Sequence, residues 1–163
     1  MQAYFFLQQL ISMKEKKLSM FKVKFLFFLT FIMNSFIVNA DILEIEIHGV
    51  KKDGILNLVI YDSKETFETY KIDKSKPQPG IQKSLIKRVS VGVYKDAFEI
   101  PAGTYAISLF IDSNENEEFD TNFLGLPTEQ YGFSNNVMGR FGPPQFEPAS
   151  FILDGYRKII IDL

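Results

Sequence analysis

From Ile42 to His48 the chain alternates without a break, with Leu43, Ile45 and Ile47 on one side and Glu44, Glu46 and His48 on the other. A period of two with a single apolar side builds a half-buried β-strand and is incompatible with a helix. The same pattern returns along the chain. Ile55 to Tyr61 carries Leu56, Leu58 and Ile60 on one side, and Tyr156 to Leu163 carries Ile159, Ile161 and Leu163. Ser84 to Val91, Val93 to Ile100 and Phe151 to Leu153 also read as strands. Thr104 to Ile111 is apolar on both sides, with Tyr105, Ile107, Leu109 and Ile111 against Ala106 and Phe110. That marks a strand with neighbours on both faces. The resulting expectation is an all-β chain of about seven strands, folded as a two-sheet antiparallel sandwich.

Turn signals divide these segments. Asp53-Gly54 between two apolar runs predicts a hairpin joining the first two strands. Asp154-Gly155 predicts another joining the last two, and Gly92 hinges the middle pair. Pro101-Ala-Gly103 is a tight turn in which proline presets φ. The period changes between Ser63 and Tyr70, where Ser63 caps a short helical turn that lays Phe67 and Tyr70 on a sheet. Lys74 to Gly80 is loop. Gly125 to Pro148 is rich in Gly, Pro, Asn and aromatics and has little periodicity. Long irregular stretches in compact domains are functional or disordered. The aromatic content of this one predicts ordered packing.

The first forty residues stand apart. Lys22 and Lys24 precede an apolar run from Phe25 to Val38, and Val38-Asn39-Ala40 supplies small residues for cleavage. Basic, apolar and small in that order is a secretory signal peptide, with Met13 or Met20 as alternative starts. The apolar run is about fourteen residues, short of the roughly 20 that a span needs. The expectation is therefore a signal over 1–40, one domain over 41–163, and a periplasmic or extracellular protein with no membrane span after cleavage. Residues 41–163 hold 13 Lys and Arg against 19 Asp and Glu, a net charge of −6. That balance argues against nucleic acid, whose binders carry a basic patch. With no cysteine in the chain, stability must come from packing or a bound ion.

Asp112-Ser-Asn-Glu-Asn-Glu-Glu-Phe-Asp120 follows the central strand. It sets Asp112, Asn114, Asn116 and Asp120 at relative positions 1, 3, 5 and 9. A hard cation such as Ca2+ takes six to eight oxygens, and alternate Asp and Asn side chains supply them. The Glu118 carbonyl at relative position 7 and a remote Glu129 complete the candidate set. A polar hairpin loop fits the same residues, because Asp and Asn also bond their own backbone. Tyr131, Phe133, Asn135 and Asn136 form a second candidate, either a platform for a sugar or peptide or a packed loop. The single histidine, His48, lies on a polar strand side with no supporting motif, so a zinc site is not expected.

Several longer motifs occur in order: Pro101-Ala-Gly-Thr-Tyr-Ala106, Asp112-Ser-Asn-Glu-Asn116, Asp120-Thr-Asn-Phe-Leu-Gly-Leu-Pro-Thr-Glu129, Tyr131-Gly-Phe-Ser-Asn-Asn136 and Phe141-Gly-Pro-Pro-Gln-Phe146. Together they resemble the bacterial secreted family catalogued as domain of unknown function 2141, across essentially the whole of 41–163. The resemblance implies an exported small β-sandwich, similar in outline to prealbumin-like, Ig-like and carboxypeptidase-regulatory-like modules, with no established activity. One departure is Glu117, where the family tends to place glycine after the third candidate ligand, Asn116. The functional expectation is a non-catalytic binding or interaction module for a protein or glycan, with a Ca2+-ordered loop. The alternatives are a small carboxylate-dependent hydrolase and an envelope protein pairing through strand edges.

Overall fold

In a computed structural model, residues 40–69, 78–140 and 142–163 are described. Residues 1–39 of the signal segment, both alternative starts, residues 70–77 with the first part of the Lys74–Gly80 loop, and Phe141 lie outside them. Eight strands are present: β1 (Ala40–Val50), β2 (Gly54–Tyr61), β3 (Ile81–Val89), β4 (Gly92–Pro101), β5 (Gly103–Asp112), β6 (Gln130–Phe133), β7 (Phe151–Leu153) and β8 (Tyr156–Asp162). Two short helices, α1 (Lys64–Thr69) and α2 (Phe146–Ala149), and a 3-10 turn (Ser134–Asn136) accompany them. Sheet one has the order β4-β1-β8, and sheet two has the order β3-β2-β5-β6 with β7 also pairing β5. The all-β two-sheet sandwich expected from the alternation is what forms.

The inward residues are those the alternation selects. Leu43, Ile45 and Ile47 of β1 face Leu56, Leu58 and Ile60 of β2 in one core, with Ile107, Leu109, Ile111, Ile159 and Ile161. β5 is central, pairing with β2, β6 and β7. A second, smaller cluster lies on the opposite side of sheet two, where Phe67 of α1 packs with Tyr61, Ala106, Phe133 and Ala149. Ser63 caps α1 as expected, its Oγ accepting from the Thr66 N–H at 3.3 Å.

Three expectations need correction. The strand number is eight, because β6 lies inside the stretch read as irregular. The predicted hairpins do not form: β1 pairs β4 and β8, β2 pairs β3 and β5, and β7 and β8 also divide between sheets. Asp53-Gly54 therefore carries the chain across the sandwich. A two-residue hairpin of type I′ needs positive φ at both central residues. Neither Asp53 nor Gly54 is among the positive-φ residues. Gly54 is needed for a different reason, since a Cβ there would stand 2.5 Å from the Asp112 carbonyl oxygen. Finally, the sandwich is not wholly antiparallel, because β8 runs parallel to β1 from Ile42↔Tyr156 to His48↔Asp162.

Candidate functional site

β5 ends at Asp112, and β6 begins after Glu129, so two paired strands of sheet two hold both ends of the acidic loop. Asp112 is 1% exposed. One of its oxygens accepts from the Glu115 and Asn116 N–H groups at 2.6 and 3.3 Å, and the other from Glu117 at 2.8 Å. This folds the chain into a tight coil, with Glu115 and Glu117 both left-handed at φ 60° and 65°. Side chains usually avoid that region, at a cost of roughly 1–2 kcal/mol per residue. Glu117 thus holds, as a non-glycine residue, the conformation that glycine adopts without strain.

Asp120 sits inside the coil. The Asn114 side-chain amide donates to its carboxylate at 2.7 Å, and the Asn116 amide donates to both oxygens at 3.1 Å. The Asn114 and Asn116 carbonyl oxygens accept the N–H groups of Asn116 and Glu118. Glu129 is buried beneath and accepts from the Ser113 N–H at 3.1 Å and the Asp120 N–H at 3.3 Å. Burial pushes its carboxyl above the ordinary range, and the charges of Asp112 and Asp120 push the same way, against those two donors. Glu118 is exposed. The structure therefore brings Asp112, Asn114, Asn116, Asp120 and Glu129 into one network. Among the described residues, no group of three or more Asp, Glu or His side chains could hold a metal ion by itself. Oxygens from the two asparagines would have to complete any cage.

A family model described as an uncharacterised protein conserved in bacteria, DUF2141, matches residues 45–160. The chain belongs to this family. No curated protein and no solved structure matches it. The DUF2141 match covers most of β1 and β8, every strand between them and the complete acidic loop.

The second candidate segment divides by role. Phe133 is 6% exposed and belongs to the small core, in edge contact with Phe67 at 6.1 Å. Asn135 donates to the Pro148 and Ser150 carbonyls, and Asn136 pairs with Asp162 through both its amide nitrogen and its carbonyl oxygen. Both asparagines have positive φ, at 60° and 53°, and fasten the turn to α2 and β8. Gly132 lets this strand lie against the other sheet, since a Cβ there would meet the Ile161 side chain at 2.7 Å. Asn135 and Asn136 are exposed, and Tyr131 is half-buried with its ring against Phe119 at 5.7 Å. Phe119 also meets Phe110 at 5.2 Å.

Sequence reasoning missed Phe110 and Phe119 as a pair. The available signal was the doubly apolar β5, whose outward side chains had to be covered by something. Beyond Asp120, Asn122 closes a turn by accepting the Leu124 and Leu126 N–H groups at 2.9 and 3.1 Å, and Phe123 at its tip is 95% exposed.

Proposed function

We propose that the protein is an exported, non-catalytic binding module whose Asp112–Glu129 loop is ordered by Ca2+. The ligands would be Asp112, Asn114, Asn116, Asp120, the Glu118 carbonyl and Glu129. The supporting observation is the meeting of the Asn114 and Asn116 amides on the carboxylate of Asp120, beside Asp112. Turning each amide plane over would present its oxygen to a cation beside Asp120, at the cost of the hydrogen bonds that the same oxygens now accept from the Asn116 and Glu118 N–H groups. The crowding of Glu129 by Asp112 and Asp120 favours the same reading, because a divalent ion would relieve it.

The ion's role is to fix Phe119, which stands between two proposed ligand residues, on Phe110 and Tyr131. Few formal charges and a strained Glu117 suit a weak site, on the order of 10⁻⁴ to 10⁻³ M. Thermal melts in several millimolar Ca2+ and in chelator test the reading. At ten times Kd the ion stabilises by about 1.4 kcal/mol. The midpoint should rise with Ca2+ and stop responding in Asp120→Ala. A midpoint indifferent to Ca2+ defeats the proposal.

A further inference from the structure

Among the side chains that sheet two turns away from the main core are two adjacent middle rows. One row is Ile86, Asn57, Phe110 and Tyr131, in register across four strands, a width of about 14 Å. The next is Ser84, Val59, Ser108 and Phe133. α1 and its Phe67 close this face at one end, over Tyr61 and Phe133. Phe119 walls the other end, against Phe110 and Tyr131. The floor between them is open: Ile86 is 65% exposed, and Asn57, Val59, Ser108 and Phe110 are half-buried.

The chemistry of this trough is narrow. Neither row contains an acidic or basic side chain. In the row beyond Ile86, Asn57 and Phe110, Arg88 pairs with Glu115 at 2.7 Å, and the buried Asp112 carboxylate is taken up by the Glu115 and Glu117 N–H groups. Asn57 uses its amide nitrogen on the Ile55 carbonyl at 3.2 Å, and its side-chain oxygen has no partner among the described residues. The hydroxyls of Ser84 and Tyr131 likewise have no hydrogen-bond partner among the described residues. Three polar groups thus stand among Ile86, Val59, Phe110 and Phe119 at strand spacing.

We infer that this outer face of sheet two binds a neutral glycan, with sugar C–H faces on Phe110, Phe119 and Ile86 and sugar hydroxyls on Asn57, Ser84 and Tyr131. A charged ligand would find no counter-charge in the two rows. An apolar partner would bury three polar groups without hydrogen bonds, a cost that hydroxyl-bearing rings avoid. Small-molecule sites combine apolar walls with a few placed polar groups in the same way. The inference rests on the binding-module reading above, in that the loop supplies Phe119.

The test is to titrate the isotopically labelled protein with cellohexaose, maltohexaose and chitohexaose in turn, following amide resonances. At least one should shift residues 57, 84, 108, 110 and 131 together. Phe119→Ala and Asn57→Ala should each weaken that binding by about tenfold. Both variants alter exposed or half-exposed side chains, and unchanged spectra away from the trough will establish that they fold. No response to all three sugars overturns the inference. So does a response confined to other residues, or one that both variants leave intact. If Ca2+ shifts the melt but no sugar reaches the trough, only this inference falls. If sugar binds while Ca2+ and chelator change nothing, only the ion reading falls.

Discussion

The two sheets present opposite chemistry to solvent. On sheet one, Glu46 is the centre of a charged web: Lys158 donates to it at 2.7 Å, Lys95 pairs with it, and His48 meets it at 3.1 Å. Glu44 joins through Lys158 at 3.3 Å and the Tyr156 hydroxyl at 2.6 Å, while Asp162 meets His48 at 3.6 Å. The polar side of the strand alternation is satisfied there from within. Sheet two instead covers its outward side with rings, running Tyr61, Phe67, Phe133, Tyr131, Phe119 and Phe110 in successive edge contacts. A face closed by its own ion pairs has little left to offer a partner. A face built of rings, with a few unpaired amide and hydroxyl groups, does.

The strongest way to break this contrast is to uncover the aromatic face. Phe67 is fully buried and joins Tyr61, Phe133 and Phe146. Phe67→Ala should lower stability by about 4 kcal/mol in urea unfolding, as large-to-small changes at buried aromatics do. A loss near zero would mean that α1 does not secure that face.

A smaller change sharpens the role of the loop beside it. Glu117→Gly places glycine at the left-handed position and should gain about 1 kcal/mol, a rise of several degrees in melting midpoint. If the midpoint stays put or falls, Glu117 is not held under strain there.

The smallest effect is a difference in sign. Lys158, Lys95 and His48 lower Glu46 from 4.5 to about 2. Its contribution is therefore fully present above its unfolded value and is lost as pH falls toward 2. Glu129 is shifted upward by burial, so its contribution is present below its unfolded value and is lost as pH rises through its folded one. Melts across acid and neutral pH should show Glu46→Gln flattening the acid limb. Glu129→Gln should gain stability at neutral pH without Ca2+. Slopes of equal sign for the two variants would refute the contrast.

Periodicity made the strands legible because it depends on which side of a strand is buried, and Leu43, Leu56 and Ile161 could be placed from it. Pairing was not legible, because it depends on where the chain goes after each turn. Asp53-Gly54 has the composition of a hairpin, yet its glycine serves a close approach to Asp112. β6 escaped notice because only four residues extend, and Gly132 interrupts their pattern. In the acidic loop, spacing identified Asp112, Asn114, Asn116 and Asp120 as neighbours. It could not say whether an asparagine turns nitrogen or oxygen inward, since rotation about one bond decides that. The burial of Phe133 and the fastening roles of Asn135 and Asn136 depend on α2 and β8, which lie far along the chain.

The parallel union of β1 with β8 has a consequence in time. Residues 42–48 are made early, yet the ladder that flanks them is built from residues 156–162. Sheet one cannot be completed until residues 156–162 are available, and contacts of such long sequence separation form slowly. A nascent chain therefore keeps one edge of β1 open until residues 156–162 have been made.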